Sequence, residues 1–270
     1  MKLTEILKRM FVERVCLVCS EAIPYDAEEP FCPDCIAEWH EFLNVKCRQC
    51  GRTNKECICL PTKVRKINHS FAAWCVFYDA EQNGEINRLF YYLKKQYDRA
   101  TIDFCTDKMK KALLILSKKH GVSYGDFVVT YAPRSHRNVI KHGFDQSQKL
   151  AKALAAKLGI KCVCMFENVG KGEQKSLNKR ERAYNAQTSY EYINGSLKDY
   201  KKVILVDDIM TSGATLYACA FQLYKNGATT VVPVTFAKDN YVNKGGKRNV
   251  KRRTKYNFAG AVKGFVRNGS

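Results

Sequence analysis

Two adjacent aspartates, Asp207 and Asp208, lie between the apolar run 203–206 and a turn of glycine and hydroxyl residues at 211–215. The run predicts a buried parallel strand, and open α/β sheets bind ligands at the carboxyl ends of such strands. The turn leads into a helix predicted over 216–226, whose first backbone N–H groups can hold a phosphate. Because adjacent carboxylates would repel that phosphate, they need sugar hydroxyls or a cation as partners. A phosphorylated ribose supplies a phosphate for the turn and sugar hydroxyls for the acids.

This string resembles the phosphoribosyl-pyrophosphate (PRPP) signature of type I phosphoribosyltransferases. The resemblance implies that Asp207 and Asp208 hold the ribose hydroxyls, that Mg²⁺ accompanies PRPP, and that the turn holds the 5′-phosphate. The turn residues are Thr211, Ser212, Gly213, Ala214 and Thr215. The alternative is a plain strand–turn–helix with a solvated acid pair and a capping hydroxyl.

A second candidate loop follows the strand predicted over 126–132 and carries several cations. Its basic residues are Arg134, His136, Arg137, Lys141 and His142. Fixed cations at this edge would favour departure of a pyrophosphate, which assigns Arg134 and Arg137 to that role. The alternative is an exposed basic loop. The polar segment 172–186 is a candidate lid, and its Arg182 is a third candidate for the leaving group.

Eight of the 13 cysteines lie before residue 60 and form two spaced quartets. The quartets are Cys16, Cys19, Cys32 and Cys35, then Cys47, Cys50, Cys57 and Cys59. Paired Cys-x-x-Cys knuckles predict tetrahedral zinc sites, one or two in number and closed, hence structural. The second quartet ends in Cys-x-Cys, so altered geometry or shared ligands remain alternatives. The N-terminal part that holds both quartets, called the ribbon, can dock on the rest of the chain or contact nucleic acid or protein.

The net charge of +20 implies polyanionic partners. From residue 238 onward, ten lysines and arginines face one acid, a net +9, so 240–270 is predicted to be a basic, mostly disordered tail. It either grips nucleic acid phosphates or only aids solubility. No apolar run reaches 18 residues, so no membrane span is expected. Residues 1–14 predict a short amphipathic helix rather than a signal peptide, so a cytoplasmic location with reduced cysteines is expected.

Alternating strand and helix patterns predict an α/β fold, a doubly wound and mainly parallel sheet of the type I phosphoribosyltransferase kind, with a small N-terminal zinc-ribbon domain. The predicted domains are 1–62, 63–239 and the tail 240–270. Strands are predicted at 71–78, 126–132, 162–166, 203–206 and 229–236. Helices are predicted at 86–95, 102–120 and 146–158, with a polar connector at 61–70.

Together these motifs resemble the ComF family of competence proteins over about residues 10–237. The resemblance rests on the ribbon, Lys94, the string 142–146, the string 174–185 and the PRPP string, with Asp145 where Asn is usual. It implies a cytoplasmic protein that assists uptake of single-stranded DNA, with that DNA and a DNA-uptake motor protein as partners. The alternatives are a metabolic phosphoribosyltransferase that uses a nucleobase or amine, and a non-catalytic binding module.

Overall fold

The computed structural model describes residues 14–68, 72–78, 86–95, 97–170, 189–193, 197 and 199–240. Four sequence predictions lie wholly or largely outside these residues: the N-terminal helix, the 172–186 segment with Arg182, the string 174–185, and the basic tail. Eight strands and seven helices are assigned within the described ranges. The strands are β1 Arg14–Val15, β2 Ala22–Ile23, β3 Ala73–Tyr78, β4 Phe127–Tyr131, β5 Phe166–Asn168, β6 Tyr190–Tyr192, β7 Lys202–Met210 and β8 Thr230–Asp239. The helices are α1 Pro33–Leu43, α2 Thr62–Asn68, α3 Asn87–Lys95, α4 Arg99–His120, α5 His136–His142, α6 Gln146–Leu158 and α7 Ala214–Lys225.

The central sheet has four parallel strands in the order β3-β8-β7-β4. Helices α4 and α6 share an apolar cluster with one face of the sheet, while α2 and α7 share another cluster with the opposite face. Both faces of the strands are therefore covered, which explains why their sequences are apolar at nearly every position. The predicted α/β class with a parallel sheet is confirmed.

Local signals placed several helices accurately. Helix α6 has the predicted bounds, and it ends where Gly159 adopts a left-handed backbone. Helix α4 begins three residues before its predicted start because Asp98 caps it by accepting the N–H groups of Ala100 and Thr101. None of the described helices combines the length and apolar character that crossing a membrane requires.

The predicted polar connector at 61–70 is wrong, because residues 62–68 form α2. Only two of its side chains are apolar and central to the packing, Val64 and Ile67, and both are buried against the α7 side of the sheet. A two-residue apolar pattern is too short to indicate a helix by itself. Tertiary burial therefore decided the conformation of this segment.

The strand predicted at 162–166 is also largely wrong. Cys162 makes one isolated parallel bridge to Val129 beside β4. The chain then leaves the sheet, and Phe166 begins β5, which pairs antiparallel with β6. An apolar run of this length does not specify which partner its backbone will find.

The cysteine-rich N-terminal part packs on the sheet through aromatic rings. Phe31 and Trp39 lie 5.1 and 5.3 Å, between ring centroids, from Phe104 of α4. Phe42 lies 5.8 Å from Phe90 of α3. Trp39 and Phe42 are buried and Leu43 is partly buried, so these three residues form the local core. The ribbon thus docks on the rest of the chain.

Truncation of Phe104 tests this junction. We expect Phe104→Ala to lower the free energy of unfolding by about 3–5 kcal/mol, because the ring is buried between the N-terminal part and the sheet. The matched control is Leu114→Ala on the same helix, where the side chain is exposed and the change should stay within about 0.5 kcal/mol. Equilibrium unfolding in urea measures both, and equal losses would contradict the packing described.

Candidate functional site

The candidate crevice is the space beyond the carboxyl ends of β4 and β7, which lie side by side in the sheet. The helices that follow β4 pack on one face of the sheet, and the helix that follows β7 packs on the other. Such a reversal is the position at which open α/β sheets bind ligands. The pairing of β4 with β7 stops at Tyr131 and Val206, whereas β7 continues beside β8 as far as Met210. The predicted strand ends at Val206, whereas β7 continues for four more residues at its carboxyl end, and these include both aspartates.

The two carboxylates are held by the first turn of α6. The side-chain amide of Gln146 donates to Asp208 Oδ2 at 2.9 Å, and the Ser147 hydroxyl donates to Asp207 Oδ1 at 3.2 Å. Backbone N–H groups add two donors, from Asp208 to Asp207 Oδ1 at 3.0 Å and from Ile209 to Asp208 Oδ1 at 2.6 Å. Both carboxylates therefore have fixed orientations at the edge of the sheet.

These hydrogen bonds do not fully offset the electrostatic cost of the pair. Burial and the neighbouring Asp208 charge raise the pKa of Asp207 well above its ordinary value, against the lowering effect of the donors from Asp208 and Ser147. A group in this state gains most from a cation or from additional donors. Among the described contacts the acid pair has hydrogen-bond donors but no ion pair, so a bound cation or further donors from a ligand would stabilise it.

Arg134 approaches the same carboxylates from the β4 side. Its Nη2 donates to the carbonyl of Lys94 at 2.7 Å, and its guanidinium lies 5.7 Å from the centroid of the Phe144 ring. Burial lowers the arginine pKa, while the charges of Asp208, Asp145 and Asp207 oppose that effect. Its Nη1 is buried without a hydrogen-bond partner among the described residues, so one charged donor remains available.

The other predicted cations are placed differently. Residues 136–142 form helix α5 instead of continuing the loop, and Arg137 is exposed on it. His142 has its pKa lowered by desolvation and then by Arg134, Lys95 and Lys141, which shows that this side of the crevice is electropositive. The structure brings Arg134 to the carboxylates; within the described contacts it does not bring Arg137 there.

Asp145 joins two loops of the site through its carboxylate. Its Oδ1 accepts the N–H of Gln148 and caps α6, while its Oδ2 accepts the N–H of Arg134 at 2.8 Å. A carboxylate offers two acceptor oxygens, whereas an asparagine amide offers one. The residue therefore joins the start of α6 to the Arg134 loop.

The 211–215 turn leads directly into α7, and Gly213 is its N-cap with a left-handed φ of 71°. A Cβ on Gly213 would lie 2.2 Å from Val64 Cγ2, so no larger residue fits without displacing α2. Thr211 and Ser212 are exposed, and Thr215 is half-buried and lies close enough to Tyr190 of β6 to lower the pKa of that tyrosine, against the larger raising effect of burial. The helix begins two residues before its predicted start.

Sequence reasoning did not assign roles to Gln146, Ser147 or Tyr190. The first two had a usable signal, because they occupy the same helical stripe as the buried residues Leu150 and Ala151. Polar side chains on a buried stripe require partners, and these find the acid pair. Tyr190 carries no comparable signal, since a three-residue strand does not reveal which side chain it approaches.

The two cysteine quartets assemble as the sequence grouped them. In each quartet the four sulfur atoms lie within 4.8 Å of one another. The measured Cys19–Cys32 and Cys50–Cys57 sulfur separations are 3.5 and 3.8 Å. A tetrahedron with Zn–S bonds of about 2.3 Å places its sulfurs about 3.8 Å apart, so both quartets fit zinc. Four thiolates leave no open position, and zinc there would supply structural cross-linking.

The second quartet has a buried cation beside it. Lys238, at the end of β8, places Nζ 3.8 Å from Cys57 Sγ and 4.8 Å from the centroid of the Phe77 ring. Burial raises the pKa of Cys57, and Lys238 opposes this effect. Asn240 completes the attachment, since its side chain accepts from the Arg48 N–H and donates to the Lys46 carbonyl, each at 3.0 Å.

The five later cysteines, Cys75, Cys105, Cys162, Cys164 and Cys219, stand in apolar sequence patterns, which predict packed thiols. Cys75, Cys105 and Cys219 are buried, as expected. Cys162 is only partly buried and Cys164 is exposed, because the chain leaves the sheet at this point. The prediction is wrong for Cys164.

Comparison with known proteins returned no matching family model and no matching curated protein. The motif residues and the geometry of the crevice therefore carry the functional argument.

Metal content tests the two quartets. We expect native mass spectrometry to find two zinc ions per chain, because the groups have separate ligand sets. Cys19→Ser and Cys50→Ser, one in each group, should each lower the count by one. A wild-type protein that carries no zinc while its N-terminal part stays folded would contradict both sites.

The raised pKa of Asp207 predicts an unusual pH dependence of stability. The folded state binds this proton more tightly than the unfolded state, so its contribution to the free energy of unfolding falls as pH rises from about 4 through the folded-state pKa. Asp207→Asn should therefore raise Tm at pH 8, with the gain shrinking toward pH 4. Each pKa unit corresponds to about 1.4 kcal/mol.

Asp126 is the control for this measurement. The hydrogen bond from Lys202 lowers the pKa of Asp126, so its charge contributes favourably above its ordinary pKa. Asp126→Asn should not raise Tm at pH 8. Equal behaviour of the two variants in thermal unfolding from pH 4 to 8 would contradict the electrostatic description of the crevice.

Proposed function

We propose that this chain is a ComF-like protein with a phosphoribosyltransferase-type domain that binds PRPP with Mg²⁺ and assists uptake of single-stranded DNA in natural competence. One observation carries the proposal. Asp207 and Asp208 lie at the strand-order reversal between β4 and β7, with a glycine-containing turn and the start of α7 directly after them. This arrangement supports sugar binding by the acids and phosphate binding at the helix start.

The division of roles follows from charge. The acid pair, fixed by Gln146 and Ser147, would accept hydrogen bonds from the ribose 2′- and 3′-hydroxyls. The backbone N–H groups and hydroxyls of the 211–215 turn would hold the 5′-phosphate. The raised pKa of Asp207 fits a site that gains from Mg²⁺, and this ion would balance charge on the sugar and pyrophosphate oxygens.

The pyrophosphate would lie toward Arg134. In transfer, the bond between the anomeric carbon and the pyrophosphate oxygen breaks, the acceptor atom bonds to that carbon, and pyrophosphate keeps the bonding electrons. The free Nη1 of Arg134 would stabilise the charge that develops on the departing oxygen. This donor is also the observation that favours the second candidate, a metabolic phosphoribosyltransferase that uses a nucleobase or amine.

The competence role is supported by charge and by the ribbon. A net +20 suits a polyanion such as single-stranded DNA, and binding through phosphates would weaken with salt. A salvage enzyme for small acceptors requires neither this charge nor two cysteine quartets. A cytoplasmic location and contact with a DNA-uptake motor protein belong to the same proposal.

Ligand-induced stabilisation tests the sugar site. We expect PRPP with Mg²⁺ to raise Tm, with about 2.7 kcal/mol of stabilisation at a ligand concentration 100 times Kd. The double variant Asp207→Asn/Asp208→Asn should lose the shift, because each side chain loses its negative charge and one of its two acceptor oxygens for the ribose hydroxyls and Mg²⁺. Asp126→Asn, an exposed aspartate outside the crevice, should keep it.

Pyrophosphate release separates the two candidates. Release on addition of a nucleobase or amine supports the metabolic enzyme, and release on addition of single-stranded DNA supports a transferase that acts on DNA. PRPP binding without release for any acceptor supports a non-catalytic sensor. A wild-type Tm that does not respond to PRPP and Mg²⁺ would contradict the sugar site.

A further inference from the structure

We infer that metal binding by the second cysteine quartet, Cys47, Cys50, Cys57 and Cys59, fixes the conformation of the 211–215 turn through Val64 of α2. The consequence for phosphate affinity rests on the proposed function, whereas the positional link does not. Val64 is then a positioning residue for the turn. The quartet stabilises the N-terminal part and also acts on the turn through this residue.

The first step is covalent. Only Leu60 and Pro61 separate Cys59 from the start of α2, and the Pro61 carbonyl accepts the N–H of Arg65 at 3.0 Å, inside that helix. Leu60 is buried in the same apolar cluster as Cys57 and Val64. The last ligand of the quartet is therefore joined to α2 without a flexible spacer.

The second step is the contact with the turn. Val64 is fully buried, and the space that a Cβ on Gly213 would need is filled by its Cγ2, 2.2 Å from that position. The backbone nitrogen of Val64 is also near, at 3.4 Å from the same position. Since Gly213 is the N-cap of α7, a shift of Val64 changes the space available to the start of α7 and to the turn before it.

The third step is the other half of the quartet. Asn240, just after β8, holds the knuckle at Lys46 and Arg48, while Lys238 lies against Cys57. A bound metal would connect this knuckle, fixed to the sheet, with the cysteines that lead into α2. Without metal, α2 keeps its packing on β8 and its attachment to α7, where the Tyr224 hydroxyl donates to the Ile67 carbonyl at 3.1 Å, but it loses the link through the metal to the knuckle at Lys46 and Arg48.

Binding at the two sites is then coupled, and such coupling is reciprocal. The first quartet offers a matched comparison, because it packs on the opposite side of the sheet, with α4 and α3, and makes no contact with α2 in the described contacts. Cys19 and Cys59 are both partly buried, so serine replacements at these positions perturb the two groups in the same way.

The experiment compares hydrogen–deuterium exchange of the amides at 211–217 in the full chain. Cys59→Ser, with loss of one zinc confirmed by native mass spectrometry, should raise exchange in this segment about tenfold, while Cys19→Ser should leave it unchanged. The Kd for PRPP with Mg²⁺ should rise by about tenfold in Cys59→Ser only, a factor within the usual range of coupling.

Val64→Ala provides a second test that does not depend on metal loss or on a cysteine variant that folds poorly. It should keep both zinc ions yet raise exchange at 211–217, whereas Ile67→Ala, on the same helix, should not. Unchanged exchange in Val64→Ala, or in a Cys59→Ser protein that has lost its zinc, would overturn the inference. If these two variants exchange faster at 211–217 but the wild-type protein binds no PRPP, the link from the quartet to the turn stands and the proposed ligand is contradicted.

Discussion

Repulsion between two neighbouring carboxylates in a poorly hydrated crevice is the interaction on which the rest of this structure depends. Coulomb energy between like charges grows as water is excluded, so the pair persists only where donors surround it. The first turn of α6 supplies two side-chain donors and β7 supplies two backbone donors. Strand β7 must run past the end of β4 for these groups to meet, and Asp145 must join α6 to the Arg134 loop. The part of the negative charge that these donors do not compensate can bind a cation or a polyol.

The cysteine-rich part also has charges that must be balanced where it packs on the sheet. Its first quartet lies beside an aromatic junction that extends one apolar cluster of the sheet, and its second lies in the other cluster. Four thiolates around Zn²⁺ carry a net charge of −2, which is costly to bury without a counter-charge. Lys238 supplies one charge at the second group, and it is held by the rings of Phe77 and Trp74. The two faces of the sheet thus receive one cysteine quartet each, and the second lies next to the elements that shape the 211–215 turn.

The positive charge of the chain has a local counterpart at the crevice. Arg134 lies close enough to Asp208, Asp145 and Asp207 for their charges to oppose the lowering of its pKa by burial, and Arg134 helps to lower the pKa of His142. Acids and cations therefore meet at one edge of the sheet, and the proposed ligand combines hydroxyls with phosphates.

Sequence by itself determined the features that short-range chemistry encodes. Apolar periodicity and glycine stops gave α6 its bounds, cysteine spacing separated the two quartets, and residue type made Asp207, Asp208 and the segment 211–215 candidate site residues. Tertiary structure alone decided the length of β7, the helical state of 62–68, the departure of the chain at Cys162, the donors on Asp207 and Asp208, and the contact between Val64 and Gly213. The reason is physical. Periodicity and capping act over a few residues and leave a local pattern, whereas strand pairing and burial join segments that lie far apart in the sequence, as Val64 and Gly213 do and as Ala73 of β3 and Val234 of β8 do.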